Sequence, residues 1–224
     1  MERTFVIGDI HGGLKALEQL LSKIKLKTSD QLIFLGDYVD GWSDSAALIS
    51  FLIELEKKYQ CIFIRGNHDD LCYTWLTQKT QNTEWIKHGG LSTMEAYKNL
   101  STEEIAKHLV FYENLINYHI DDQNRLFLHA GFTNLHGPHR EYFKDLFYWD
   151  RTLWETALAT DPSLDINDLR YPKRLTLFKE IYIGHTPVSR INKTTPVQAM
   201  CVWNIDTAAA FKGPLTALEI NSKE

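Results

Sequence analysis

The chain of 224 residues has the length of one α/β domain, and it is 44% hydrophobic and 24% charged. This balance excludes a disordered chain, a collagen-like repeat and a polar low-complexity protein. The formal net charge of −5 argues against binding along a nucleic acid backbone, because that mode requires a basic surface that releases counterions. We therefore expect a single domain over residues 1–224 and no nucleic acid partner.

Targeting and disulfide signals are weak. Residues 1–8 hold only a short apolar run, and no segment of the chain approaches the ~20 apolar residues of a membrane span. This pattern predicts a cytoplasmic protein without a membrane partner. The cysteines are odd in number and widely spaced, which favours reduced thiols over a disulfide framework or a CxxC metal site; they are Cys61, Cys72 and Cys201.

The first part of the chain predicts alternating strands and helices. Strands are expected over residues 4–7, 31–35 and 61–64, with a helix after residue 13 and another over residues 46–58. Brief connections of this kind imply parallel pairing through right-handed crossovers, with helices covering the sheet. Ligands bind at the carboxyl ends of the strands in such sheets.

The remaining segments predict a change of architecture. Residues 71–114 are expected to form a mostly helical flank. A hairpin is expected from strands at 115–120 and 125–128, followed by a helix over 141–159, a loop over 161–173 and late strands at 181–183, 197–205 and 215–220. The order βαβαβ, helices and then antiparallel strands predicts two sheets packed together between helical layers.

Polar side chains that can bind metals or phosphate follow five of the predicted strands. They are Asp9 and His11, Asp37 and Asp40, Asn67 and His68, His129, and His185. Each alone has an ordinary explanation, such as a helix cap, a turn or a packed histidine, but five loops at one sheet edge favour a common site. Oxygen and imidazole ligands without thiolates suit Mn²⁺, Fe²⁺ or Zn²⁺. The number of candidates indicates two adjacent ions, which a carboxylate such as Asp37 can bridge and which are typical of phosphoester hydrolysis.

Five motifs resemble those of the calcineurin-like metallophosphoesterases, and within these the bacterial and phage serine/threonine protein phosphatases most. The motifs are Gly8-Asp9-Ile10-His11-Gly12, Gly36-Asp37-Tyr38-Val39-Asp40, Gly66-Asn67-His68-Asp69, His129-Ala130-Gly131 and Gly184-His185-Thr186-Pro187. The resemblance covers positions 4 to about 207. It implies an α/β fold of four layers, α/β/β/α, in which two mixed β-sheets are flanked by helices.

The resemblance also implies a role for each matching residue. The first metal would be held by Asp9, His11 and Asp37, and the second by the shared Asp37 with Asn67, His129 and His185. The expected cofactors are two divalent ions, with Mn²⁺ preferred and iron or zinc as alternatives. A water held between the ions would attack phosphorus in line, His68 would protonate the leaving oxygen, and Asp40 would accept the other ring N–H of His68. Asn67 and His68 would also contact the substrate phosphate.

The chain departs from the family at Gly41. The family motif continues with an arginine that grips phosphate, whereas this sequence reads Gly41-Trp42 at that point. Arg151 in Tyr148-Trp149-Asp150-Arg151 is similar to a WxR element of bacterial and phage relatives, which makes it the candidate phosphate clamp; the alternative is a helix-surface arginine. Trp42 is either an aromatic contact for substrate or a buried loop anchor. Asp206 is either a partner of a metal histidine or a plain turn carboxylate.

The sequence therefore favours a metal-dependent phosphatase of phosphoserine or phosphothreonine in proteins. The alternative is a symmetrical dinucleoside tetraphosphate hydrolase or another small-molecule phosphoesterase, because the motifs fit both classes. The missing arginine weakens the first reading, since that side chain orients a phosphomonoester. A metal-free scaffold is disfavoured because every candidate ligand is present. The oligomeric state is left open.

Overall fold

The computed structural model describes residues 3–80 and 82–223, which form two β-sheets with helices around them. The strands are β1 (Thr4–Ile7), β2 (Gln31–Phe34), β3 (Gln60–Phe63), β4 (Tyr118–Ile120), β5 (Arg125–Leu128), β6 (Glu180–Ile183), β7 (Val197–Ala199), β8 (Val202–Asn204) and β9 (Ala217–Glu219). The α-helices are α1 (Leu14–Lys23), α2 (Ser45–Glu56), α3 (Asn67–Gln78), α4 (Thr83–Trp85), α5 (Leu91–Tyr97), α6 (Thr102–Glu113), α7 (Leu146–Trp149) and α8 (Thr152–Ala159). A kinked turn over Ile86–Gly90, with non-helical backbone at His88 and Gly89, joins α4 to α5. Turns of 3₁₀ type cover Pro138–Arg140, Lys173–Thr176, Val188–Ile191 and Ala209–Phe211.

The first sheet has the order β3-β2-β1-β9. Its three N-terminal strands pair in parallel, as the alternation of strands and helices predicts, and β9 is antiparallel to β1. The side chains alternate between the two faces of the sheet. Phe5 and Ile7 pack toward the helices, whereas Val6 between them packs toward the second sheet.

The second sheet has the order β4-β5-β6-β8-β7. The β4–β5 hairpin forms as predicted, but the prediction that the late strands are antiparallel is wrong for the central pairs, since β5–β6 and β6–β8 are parallel. The chain between β5 and β6 holds α7 and α8, which is long enough for a parallel crossover. The single strand predicted over 197–205 is a hairpin of β7 and β8, turned at Met200 with φ +51°.

The prediction of a single helix over 141–159 is also wrong, since the structure has two shorter helices, α7 and α8, in this range. Asp150 is extended, with φ −65° and ψ 138°, and it separates α7 from α8. Its carboxylate accepts the backbone N–H groups of Thr152 and Leu153 at 3.0 Å each. These N–H groups begin α8 and have no partner earlier in a helix, so the carboxylate stabilises a new helix start instead of a continuous helix.

Three apolar clusters fill the spaces between the layers. The cluster between the sheets includes Val6, Ile33, Phe127 and Tyr182, and the last two rings stack with centroids 4.9 Å apart. Helices α1, α2 and α6 cover the outer face of the first sheet, and α7 and α8 cover that of the second. This arrangement confirms the predicted α/β/β/α layers with two mixed sheets. Within residues 3–80 and 82–223, no helix has the length and apolar character needed to cross a membrane.

Candidate active site

The candidate site lies in the loops that follow β1, β2, β3, β5 and β6. Four of the predicted site residues have left-handed backbone there, with φ of 52° at His11, 53° at Asp37, 72° at Asp40 and 66° at His185. Side chains other than glycine rarely adopt this conformation, and where they do so the strain is concentrated at functional sites. Four of the twelve non-glycine residues with positive φ in the described chain therefore lie in the loops that carry the sequence motifs.

Two glycines allow these loops to come close together. A Cβ atom on Gly66 would lie 2.2 Å from the backbone nitrogen of Asp37, and one on Gly184 would lie 2.0 Å from Oδ1 of Asp9. Both distances are too short for any side chain, so glycine is required at both positions. The carboxylates of Asp9 and Asp37 consequently sit directly against neighbouring backbone.

Asp69 ties the loops together, a role that the sequence analysis missed. Its buried carboxylate accepts the backbone N–H groups of Gly66, Asp37 and Tyr38, each at 2.8 Å. Burial and the nearby charge of Asp37 raise the pKa of Asp69 to about 7. Its position three residues after Gly66, at the start of α3, is the only sequence signal for this role.

One group of possible metal ligands is formed by Asp37, His129 and His185, whose ligand atoms lie within 4.8 Å of one another. Asn67 joins them, since its Oδ1 lies 3.1 Å from Nε2 of His129 and 2.8 Å from Nδ1 of His185. His129 donates its Nδ1–H to the carbonyl of Leu35 at 2.7 Å, and its Nε2 faces oxygens of Asn67 and Asp37. Burial lowers the pKa of His129, but Asp37 and Asp9 outweigh it and raise the pKa to about 9, so Nε2 carries a proton between these oxygens. A bound cation would take the place of that proton.

A second group is formed by His11, Asp37 and His68, again within 4.8 Å. Asp37 is the residue common to both groups. Asp9 belongs to neither group, and its Oδ2 accepts the backbone N–H of His185 at 3.0 Å. Within the described part of the chain, Asp9 Oδ1 and His185 Nε2 are buried without a hydrogen-bond partner. Buried polar atoms of this kind call for a further ligand such as a metal ion.

The electrostatics of these residues also fit divalent cations. Burial, with a further contribution from Asp206, raises the pKa of Asp9 well above its usual range. Burial lowers the pKa of His11 to about 4 and that of His185 well below its usual value, so both imidazoles are neutral and can donate a lone pair. Burial opposes ionisation of Asp37, but the charges of His129 and His68 outweigh it and hold its pKa well below the usual range.

His68 and Asp40 form a hydrogen-bonded pair beside these groups. Nδ1 of His68 lies 2.6 Å from Oδ2 of Asp40, which is fully buried. Burial lowers the pKa of His68, but Asp37 and then Asp40 outweigh it and raise the pKa to about 9. His68 is thus an imidazolium at neutral pH, and Nε2 is the ring nitrogen left to face the cleft.

A cleft of about 620 Å³ opens over both groups of ligands. The predicted site residues on its wall are His11, Asp37, Asn67, His68, Arg151 and His185. Half-buried Arg151 donates to the hydroxyl of Thr186 at 3.1 Å and therefore lies in the site and not on a helix surface. Burial and the charge of Arg190 lower the pKa of Arg151. Arg190, which lies on the same wall, was missed by the sequence analysis because it matches no motif.

Gly41 lines the cleft with φ +93°. Position 41 itself has no side chain to take the place of the family's arginine. The neighbouring Trp42 donates its indole N–H to the carbonyl of Ala209 at 2.8 Å and is 42% exposed. Trp42 is therefore a loop anchor, although not a fully buried one. Asp206 accepts the N–H of Ala208 at 2.9 Å, which favours its reading as a turn carboxylate, and it also lines the cleft.

Comparison with known proteins yields consistent similarities. The model of the calcineurin-like phosphoesterase family matches residues 2–207. The chain is 29% identical to asymmetrical bis(5'-nucleosyl)-tetraphosphatase PrpE of Oceanobacillus iheyensis, over 98% of this chain and 89% of the relative. It is 31% identical to the protein of the same name from Halalkalibacterium halodurans, over 95% and 88%.

A solved structure of a protein provisionally assigned as a diadenosine tetraphosphatase has a TM-score of 0.66 to this chain at 19% identity. It covers 100% of this chain and 91% of the other. At this level of identity the likeness shows the fold.

Proposed function

The chain belongs to the calcineurin-like phosphoesterase family, and from this premise we propose that it is a dimetal-dependent hydrolase of dinucleoside polyphosphates. The main observation in support is that one cleft holds two arginines and two exposed aromatic rings beside the candidate metal ligands. The names of the bacterial relatives support the same substrate class. The expectation of a phosphoprotein substrate therefore becomes the second candidate.

The basic and aromatic residues suit a long phosphate chain with bases at its ends. Arg151 and Arg190 line the same cleft and the charge of one affects the pKa of the other, so both guanidinium groups are available to a phosphate chain in this cleft. Trp149 is 45% exposed and Phe211 73% exposed on the wall of the cleft. Stacking of a base on such a ring contributes about 1–3 kcal/mol. A small phosphomonoester would use neither ring.

The metal ligands are assigned from the two groups described above. Asp37 would be shared by two ions, one held with Asn67, His129 and His185 and the other with His11 and Asp9, whose Oδ1 has no hydrogen-bond partner among the described residues. When bound, the two divalent ions lower the pKa of a water and neutralise charge on the phosphate. We assign Mn²⁺ as the metal to test first, with iron and zinc as alternatives.

His68 supplies the proton for the leaving group. Water attacks phosphorus, the bond from phosphorus to the bridging oxygen breaks, and Nε2 of His68 gives its proton to that oxygen. Asp40 holds the ring by accepting the Nδ1–H, so Nε2 is directed into the cleft. No covalent enzyme intermediate is needed.

The His68–Asp40 pair is also the observation that favours the second candidate, phosphoserine or phosphothreonine hydrolysis. A serine or threonine alkoxide is a poor leaving group and requires a proton donor, whereas a nucleotide phosphate requires one less. Gly41 acts in the opposite direction, because the arginine that would orient a monoester is missing.

A panel of four substrates tests the proposal. The Mn²⁺-loaded protein is assayed on diadenosine tetraphosphate, a phosphoserine peptide, 4-nitrophenyl phosphate and its bis-ester. We expect the highest kcat/KM on diadenosine tetraphosphate, with ATP and AMP as products, in line with the relatives' name. ADP alone would indicate symmetrical cleavage. A higher kcat/KM on the peptide would replace the proposal by the second candidate.

Aromatic variants test the main supporting observation. Phe211→Ala should raise KM for diadenosine tetraphosphate about 5- to 150-fold, by the loss of one stacked base, and should leave KM for 4-nitrophenyl phosphate unchanged. Trp149→Ala should raise KM for diadenosine tetraphosphate by a similar factor, and its metal content is measured as well because the Trp149 ring contacts His185, with centroids 6.2 Å apart. Phe143→Ala is the matched control, since Phe143 is 65% exposed and does not line the cleft. Equal KM changes on both substrates would contradict base stacking.

A further inference from the structure

We propose that Trp85 and Thr93 are positioning residues that hold Asp40, and through it His68, in the orientation needed for proton donation. The inference rests on the proposed role of His68 as proton donor. Neither residue belongs to a motif of the sequence, and both come from the segment formed by α4, the kinked turn and α5.

Both carboxylate oxygens of Asp40 accept short hydrogen bonds. Its Oδ2 accepts from two donors at 2.6 Å, Nδ1 of His68 and the indole Nε1 of Trp85. Its Oδ1 accepts from the hydroxyl of Thr93, also at 2.6 Å. The Thr93 oxygen in turn accepts the backbone N–H of Asp40 at 2.9 Å. All three residues other than His68 are buried, so water does not compete for these bonds.

The sequence of the segment allows this approach. A Cβ atom on Gly89 would lie 2.8 Å from the backbone nitrogen of Gly41 and 3.2 Å from Cβ of Asp40. A Cβ atom on Gly90 would lie 2.5 Å from the indole of Trp85. The glycine pair thus brings the kinked turn against Asp40 and leaves room for the indole.

The arrangement fixes the direction of a proton transfer. A carboxylate with one donor on one oxygen can rotate about its Cβ–Cγ bond, and the imidazole bonded to it moves with it. Donors on both oxygens fix the carboxylate plane, and the imidazole ring then points Nε2 steadily into the cleft. The second donor on Oδ2 also shares the negative charge, which limits transfer of the Nδ1 proton to Asp40.

Two pairs of variants separate positioning from general structural support. Trp85→Phe removes the indole donor, and Trp75→Phe is its control because Trp75 packs on Trp85 with centroids 5.6 Å apart but does not bond Asp40. Thr93→Val removes the hydroxyl, and Thr93→Ser retains it. Partners that orient a metal-binding histidine typically contribute 10- to 100-fold to metal affinity or activity, and we expect an effect of the same order for the partners of Asp40.

The first measurement compares two esters, phenyl phosphate and 4-nitrophenyl phosphate, whose leaving groups differ in their need for a proton. Trp85→Phe and Thr93→Val should lower kcat on phenyl phosphate about 10- to 100-fold with unchanged KM, and should lower it much less on 4-nitrophenyl phosphate. Trp75→Phe and Thr93→Ser should resemble the wild type on both esters.

The second measurement needs no activity. In ¹⁵N-edited NMR spectra of the metal-free protein, Trp85→Phe should change the chemical shift of the Nδ1–H proton of His68, and Trp75→Phe should leave that chemical shift unchanged. If Trp85→Phe does not fold, Thr93→Val against Thr93→Ser decides the question.

The positioning role would be overturned if Trp85→Phe and Thr93→Val lowered kcat equally on both esters, or if their kcat values matched those of their controls. A wild-type protein without activity on any ester would instead refute the proposed function. Preference for another substrate class would change the proposed substrate and would leave the comparison between the two phenyl esters intact.

Discussion

Removal of the Arg151 side chain is expected to weaken both binding and turnover. Its guanidinium has five N–H donors, and the bond of Nη1 to Thr186 at 3.1 Å holds it in place while other N–H groups remain for phosphate. A hydrogen bond to a charged group contributes about 1.5–3 kcal/mol, and each 1.36 kcal/mol is tenfold in rate. We therefore expect Arg151→Ala to lower kcat/KM about 10- to 150-fold, through higher KM and lower kcat together.

The assay uses diadenosine tetraphosphate and 4-nitrophenyl phosphate under Mn²⁺ saturation. Arg151→Lys should recover little, because an ammonium cannot present a planar fork to phosphate. Arg170→Ala is the control, since Arg170 is a surface residue paired with Asp168 at 2.7 Å and lies outside the cleft. Unchanged kinetics in Arg151→Ala, with normal folding, would refute the clamp and direct attention to Arg190.

Three further outcomes are expected. Asp37→Asn should lose both ions in metal analysis after dialysis, because Asp37 is common to both ligand groups; retention of two ions would exclude bridging. His68→Asn should keep the ions and lose about 10²–10⁴-fold in kcat on phenyl phosphate, with a smaller loss on 4-nitrophenyl phosphate; equal losses would argue against proton donation. Burial would raise the pKa of Asp30, but hydrogen bonds from Arg3 and the Lys27 N–H outweigh burial and lower the pKa. The resulting stabilisation of the fold is present above the pKa of Asp30 in the unfolded chain, ~3.9, and is lost as the pH falls through the lowered pKa of the folded state. Urea unfolding should show Asp30→Asn less stable by about 1.5–3 kcal/mol at pH 7, with a smaller difference below about pH 4, and a difference independent of pH would contradict this assignment.

The strands of the first sheet could be located from sequence because their pattern is set locally. Apolar residues such as Phe5, Val6 and Ile7 form short runs bounded by glycine loops, and the brief βα connections allow one handedness of crossover. The break at Asp150 could not be located, because it depends on a carboxylate bonding two N–H groups in place of helix continuation. The turn at Met200 likewise depends on a left-handed residue that the sequence does not mark with glycine.

The motif residues of the site could be grouped because each follows a strand that ends at the same edge. The contacts of Asp40 with Trp85 and Thr93 could not be predicted from the sequence. They join residues 45 and 53 positions apart, and the path of the intervening segment depends on packing. The pair Gly89-Gly90 within a helical pattern was the available signal for a close approach. Arg190 lies only five positions after His185, but nothing in the sequence distinguishes it from a surface arginine.

The hydrogen bond between Asp9 and His185 joins residues 176 positions apart. One edge of β1 is paired by β9, which is the last strand of the described chain. At a ribosomal rate of 5–20 residues per second, about 9–35 s separate the synthesis of these two residues. During that interval β1 has an unpaired edge, which is exposed to association with other nascent chains. The ligand group of Asp37, His129 and His185 can therefore be completed only after nearly the whole chain has been synthesised, and the yield of active enzyme should depend on chaperone capacity and on temperature during expression as well as on the supply of metal.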